Sequence, residues 1–392
     1  MNEVIKILKN YLPELFYLIF RRKIPNAVTV NITDKCNQNC IYCEIGKGII
    51  TDRKDRLNKQ DLKWLIDEMY SLKIKRLALC GGEPLLFEGL FEIIDYAGKK
   101  NVTCSVTTNG MLIKDLNEQE IQIFKRNKTQ INISADSFDD IIESSIRGNY
   151  SSVETIKSSV KRLTKESIPV TMLCVVSRFN YNNLFEYFAK AYEIGVSCVL
   201  FQPVITFSNY PDRNTIPEKS QLNVSPLNIE KLLFQFNKIL NFEKKHRIKT
   251  NVYRLMNWIP SYLAAVHNMN KNPFYDSILK KFYCRDVHAI IDIAYDGGIQ
   301  PCGLMPATIS IKEKNTKHLI HLWENATETL KKRLSESNYP EVCRGCCHHF
   351  SRNMIASVIK YPLSNRRALF SLINVLLFRF ISISFKKILF VK

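Results

Sequence analysis

Cys36-Asn37-Gln38-Asn39-Cys40-Ile41-Tyr42-Cys43 is the stretch from which the rest of the chain is read. Three cysteines this close leave no room for regular structure between them, so a packed core cannot absorb all three. They can instead wrap one corner of an iron–sulfur cube and leave its fourth iron without a protein ligand. An open iron can bind and reduce a small molecule, which a fully ligated electron carrier cannot. A zinc site would want a fourth ligand close by, and no His or Cys follows Cys43 within thirty residues.

The 392 residues are 46% hydrophobic and 24% charged, enough for one large domain plus a smaller one around a real core. Twelve cysteines in so long a chain do not suggest a disulfide framework. The segment Tyr11 to Phe20 contains Glu14 and runs into Arg21-Arg22-Lys23 without a small-residue cleavage site, which argues against a cleaved secretory signal. Clustered thiols in a reducing compartment usually bind metal, so the expected location is cytoplasmic.

The net charge of +19 is unevenly placed. From Val342 onward nine Lys or Arg occur and no Asp or Glu. Ala368 to Lys392 mixes Phe, Leu and Ile with Arg379, Lys386 and Lys387. Two readings stand side by side: a basic amphipathic helix lying at the inner face of the membrane, or a helix docked on the protein's own core. Nucleic acid is disfavoured, because the basic residues alternate with large aliphatics and no nucleic-acid module is present.

After the cysteine loop, short apolar runs alternate with amphipathic ones. Strands are expected at 27–32, 76–79, 102–107, 130–134, 170–176 and 198–204. Helices are expected at 59–72, 87–99, 117–126, 153–166 and 181–194. Such alternation implies a parallel α/β sheet with right-handed crossovers, and chemistry at the C-terminal ends of its strands. Residues 206–225 read as a polar boundary or flap, and about 226–281 as a long helical region. The expected units are an amphipathic segment 1–26, a core 27–205, a linker and helical region 206–283, a cysteine-bearing unit 284–350 and a basic tail 351–392.

In that last cysteine-bearing unit, Asp296-Gly297-Gly298 signals a hairpin that would bring Cys284 and Cys302 together. Cys343-Arg-Gly-Cys346 supplies two more thiolates on one short loop. Four thiolates so arranged suit a tetrahedral zinc or a fully ligated 4Fe–4S cluster. Cys347, His348 and His349 are spare donors without an assigned role. Cys80, Cys104, Cys174 and Cys198 sit singly in apolar strands and read as small core hydrophobes.

The spacing C-x3-C-x2-C, with an aromatic residue before the third Cys, resembles the signature of the radical S-adenosylmethionine (SAM) superfamily. The resemblance covers about residues 27–205 and implies a partial (β/α)6 barrel. It implies a 4Fe–4S cluster on Cys36, Cys40 and Cys43, with SAM on the free iron. Reductive cleavage of SAM to a 5′-deoxyadenosyl radical, which abstracts hydrogen from a substrate, would follow. Gly81-Gly82-Glu83 resembles the family's GGE motif at the SAM amino group. Asn109, Ser134, Asp136 and Arg147 match the family's SAM-contacting positions by type and order, although turn caps and surface charges look the same in sequence. The spacing around Cys284, Cys302, Cys343 and Cys346 is similar to the Twitch half of a SPASM extension, which implies one auxiliary 4Fe–4S cluster in a small C-terminal domain.

An acceptor cluster beside the site points to net oxidation of a peptide or carbohydrate, with a membrane lipid or lipid-linked glycan as alternative. A non-catalytic iron–sulfur or zinc scaffold is the reading from a different class, distinguished by its failure to cleave SAM. The positive charge suits a flavodoxin- or ferredoxin-like electron donor. No residue identifies the substrate or a catalytic acid or base.

Overall fold

Six strands alternate with helices along the first half of the chain, and each pairs in parallel with the next: β1 (Ala27–Thr33), β2 (Arg76–Gly81), β3 (Thr103–Thr108), β4 (Gln130–Ser134), β5 (Val170–Val176) and β6 (Cys198–Pro203). The computed structural model describes residues 24–45, 56–205, 219–256, 258–267, 284–313, 318–340, 342–343 and 346. The expected basic tail, most of the N-terminal segment and Cys347, His348 and His349 lie outside the described residues. Among those described, no helix is long and apolar enough to cross a membrane.

Local chemistry sets the helix starts. Asn58 caps α1 (Lys59–Ser71) in a reciprocal box with Asp61, and Asn117 does the same with Glu120 for α3 (Glu118–Arg126). Gly89 ends the turn before α2 (Leu90–Lys99), which shortens the helix expected from Phe87. Asp139 caps α4 (Asp140–Arg147), and Ser152 caps α5 (Val153–Lys165). The α4 helix was not anticipated, since its eight residues carry too short a period to read. α6 (Leu184–Glu193) closes the series. All the other anticipated elements in this half are present, with boundaries moved by three residues or fewer.

The sheet has two unlike faces. Val28, Val30, Leu77, Leu79, Ile131, Ile133, Val199 and Phe201 are buried beneath the helices, each contributing about 1.5–3 kcal/mol of burial. The alternate positions, Thr29, Asn31, Ser105, Thr107, Asn132, Ser134 and Gln202, are half-buried on the opposite, concave face. Asn132 Nδ2 donates to Thr107 Oγ1 across that face at 3.2 Å.

The expected helical region holds several helices with a short strand between them. α7 (Ile229–Glu243) ends before a two-residue strand, β7 (Lys249–Thr250), which joins the sheet beside β6. α8 (Val252–Met256) and α9 (Ile259–His267) follow. Glu243 accepts from Thr250 N and Asn251 grips both Phe201 backbone groups, so the chain is drawn to the sheet edge instead of continuing as helix.

The expected hairpin forms from β8 (Ile290–Ile293) and β9 (Gly298–Gln300), preceded by α10 (Asp286–Ala289). β8 pairs in parallel with β1, opposite Ala27 to Val30, so the hairpin extends the barrel sheet. With β10 (Ile309–Ser310) the sheet has ten strands in the order β10-β9-β8-β1-β2-β3-β4-β5-β6-β7. α11 (Leu319–Ser335) packs across the hairpin, its Trp323 indole donating to Ile290 O.

Candidate iron–sulfur and SAM site

The three-cysteine loop leaves the C-terminal end of β1 and is fastened on three sides. Gly82 N donates to Thr33 O and Glu83 N to Lys35 O, both at 2.7 Å. Those bonds need Gly81 at φ +119° and leave no room for a Cβ on Gly82, which would run into Lys35 carbonyl. Asn109 Nδ2 donates to Asn37 Oδ1 at 2.6 Å. From the other side Ile41 N donates to Ile146 O in α4, and Gly148 (φ +86°) lets Asn39 lie against the helix end. Asp34, at the root of the loop, pairs with Arg56 at 2.9 Å.

Beneath the loop lies a buried ionic network. Asp136 is fully buried and accepts from Tyr42 OH at 2.6 Å, Arg147 Nε at 2.9 Å and Val175 N at 2.7 Å. Glu143, also fully buried, accepts from Asp136 N, Ser137 N and Ser151 Oγ. Burial raises the Glu143 carboxyl to about 7, with Arg147 opposing and Asp136 adding to the rise. Burial works against the Arg147 charge, yet Asp136 leads the anions that hold its guanidinium above the ordinary range. Tyr42 is the aromatic residue of the cysteine motif, so the network reaches straight into the loop.

The structure sorts the residues expected around SAM. Glu83 is fully buried, its carboxylate accepting from Thr108 Oγ1, Asn109 N and Leu85 N; burial pushes its pKa up. Asn109 spends its amide on Asn37 and Met111 N. The polar atoms of Glu83, Asn109 and Asp136 therefore tie strand ends and loop together. Ser134, on the concave face at the end of β4, keeps a hydroxyl with no hydrogen bond among the described residues.

Cys36, Cys40 and Cys43 lie close together: Cys43 adds to the rise that burial gives Cys36 and Cys40, the latter pushed up to about 12. No three His, Cys, Asp or Glu side chains among the described residues converge as closely as one metal ion requires. A four-iron cube spaces its thiolates more widely than a single zinc does, and an all-thiol loop is the donor set such a cube takes. The residues present fit the cluster.

The second set gathers at the other end of the sheet. Cys284 precedes α10 and Cys302 follows β9, so both lie level with the start of β1. Cys343 perturbs both thiols, and Cys346 N donates to Cys343 O in a tight turn. Burial raises all three, Cys302 and Cys343 to about 12. Asp292 stands opposite Thr29 in the sheet register and perturbs Cys302, a position no motif marked. Cys104 and Cys174 are buried, whereas Cys80 and Cys198 are half-buried at concave-face positions.

A parallel βα sheet with a fastened three-cysteine loop after its first strand defines an enzyme class that works at an open iron–sulfur cluster. Residues 30–191 match the family described as the Radical SAM superfamily: the chain carries a radical SAM domain and is an enzyme, and that family uses a 4Fe–4S cluster and SAM. It is 24% identical over 342 residues to the AdoMet-dependent heme synthase of Methanosarcina barkeri, covering 84% of this chain and 93% of that protein. It is 27% identical over 190 residues to a GTP 3′,8-cyclase of Clostridium botulinum, covering 47% of this chain and 58% of the cyclase. Among solved structures, Streptococcus suis SuiB bound to S-adenosylmethionine superposes with a TM-score of 0.59 at 14% identity, covering 88% of this chain and 78% of SuiB. Native anSMEcpe with bound AdoMet and Cp18Cys peptide gives 0.58 at 16%, covering 90% and 99%.

Proposed function

We propose that this enzyme carries out a net oxidation of a peptide or carbohydrate lying along the concave sheet face between two iron–sulfur clusters. Cys36, Cys40 and Cys43 would hold the SAM-binding cluster, and Cys284, Cys302, Cys343 and Cys346 an auxiliary one. When bound, SAM and its cluster supply a hydrogen-abstracting 5′-deoxyadenosyl radical, and the second cluster supplies an electron acceptor. The observation that carries this reading is that the two cysteine sets sit at opposite ends of one strand, β1, whose seven residues span about 20 Å.

Between those ends the chain offers amides and hydroxyls. Asn31, Ser134 and Gln202 have side chains without hydrogen bonds among the described residues. Uncharged donors and acceptors suit an amide backbone or a run of hydroxyls. Gly81, Gly82 and Arg147 would shape the SAM end, with Glu83, Asn109 and Asp136 keeping the loop in place. The titles of two structural neighbours support a peptide: SuiB bound to precursor peptide SuiA, and anSMEcpe with Cp18Cys peptide. The match over 93% of the heme synthase favours a second reading, a heme precursor.

Anaerobic reconstitution tests the proposal. The expected result is about eight irons per chain, 5′-deoxyadenosine formed with dithionite and SAM, and none formed by Cys40→Ala. About four irons in a fully loaded wild type would remove the auxiliary cluster and with it the oxidative outcome. A visible-absorbance shift on adding a porphyrin would favour the heme-precursor reading over peptide.

A further inference from the structure

Where the strands begin, a cavity of about 400 Å3 opens among the first residues of β1, β2, β3, β4 and β8. Three arginines line it, Arg76 at the start of β2, Arg254 in α8 and Arg285 before α10. The lining holds one acidic residue, Asp286, so it carries an excess of two positive charges. Ser105 and Gln130 add a hydroxyl and an amide from the strands. Neither Arg76 nor Arg254 makes a side-chain hydrogen bond or ion pair among the described residues. The forked donors of arginine match the oxygens of phosphate or carboxylate.

We infer that this cavity is an oxyanion site that anchors a phosphate or carboxylate group of the substrate. It lies at the end of the sheet away from the Cys36–Cys43 loop and beside Cys284, so an anchored molecule would run along the concave face toward the SAM end. That the ligand is the substrate rests on the function proposed above; the anion site itself does not. Its size admits one such group with its immediate attachment. None of the three arginines falls in a motif, because they come from three distant segments that meet only through the sheet.

Titrating inorganic phosphate calorimetrically into the reconstituted full chain tests the site. Saturable binding is expected, with a dissociation constant on the order of millimolar. Arg254→Gln and Arg76→Gln should each weaken it about tenfold, while Lys161→Gln on α5 leaves it unchanged. Arg254→Lys, which keeps the charge and loses the fork, should retain part of the affinity at wild-type iron content. Acetate displacing phosphate at similar concentration would assign a carboxylate ligand, and failure to displace it a phosphate. Absence of saturable binding would overturn the site. So would an equal loss in Lys161→Gln, which would mark diffuse attraction to a highly basic chain. The titration needs neither SAM nor turnover, so a wild type that forms 5′-deoxyadenosine without binding phosphate sinks the anchor alone. Phosphate binding without 5′-deoxyadenosine sinks the reaction and keeps the anion site.

Discussion

Replacing Asp136 by Asn should loosen the cysteine loop while barely changing side-chain volume. Asn can still accept from Val175 N through one oxygen, the bond that measures 2.7 Å. Its amide would then face Arg147 Nε, now 2.9 Å from a carboxylate oxygen, and put donor against donor. Glu143 Oε1 lies 3.5 Å from Arg147 Nε, too long to replace what was lost. Breaking a buried pair in this way costs about 3–5 kcal/mol, because the surviving charge stays out of water. Tyr42 OH loses its anionic acceptor as well, a charge-assisted bond worth about 1.5–3 kcal/mol. Tyr42→Phe isolates that last share and should cost correspondingly less. Two assays read the effect: urea denaturation of the metal-free chain, and the rate at which a chelator strips iron from a Cys302→Ala background. Asp136→Asn should lower the denaturation midpoint by the larger amount and release iron about tenfold faster or more. An unchanged midpoint together with unchanged iron release would refute the claim that this network holds the loop.

Two further outcomes follow from burial. Glu143 keeps its proton to about 7 in the folded chain against an ordinary 4.5, so the folded state binds a proton the unfolded state has released. Its contribution to stability is complete below pH 4.5 and is lost as pH rises toward 7. Glu143→Gln should therefore flatten the denaturation midpoint across that window, and an identical pH slope in wild type and variant would contradict it. Cys40, Cys302 and Cys343 are pushed up to about 12 by burial, so in the metal-free chain they should react with iodoacetamide at pH 8 far more slowly than an unstructured cysteine. Loading iron must then release protons into a weak buffer. Rapid labelling of all three would show those thiols to be open to water.

The sequence by itself determined the βα order, the end of the sheet that carries the first cysteine loop, and the hairpin at Asp296-Gly297-Gly298. These are written in local periodicity and in residues whose backbone freedom or capping ability acts over a few positions. It also marked Asp136 and Arg147, which the structure joins in a buried ion pair. Only the tertiary structure decided the rest. α4 is too short to announce itself, and it forms because Asp139 caps it and the cysteine loop packs on its end. The pairing of β8 with β1 joins residues more than two hundred and sixty positions apart, and no local pattern encodes which strand an edge will accept. That single pairing sets the two cysteine groups at opposite ends of β1 and closes the arginine-lined cavity. Proximity between distant segments is decided by how the sheet closes and which apolar faces it must bury, so it becomes visible only once the chain is folded.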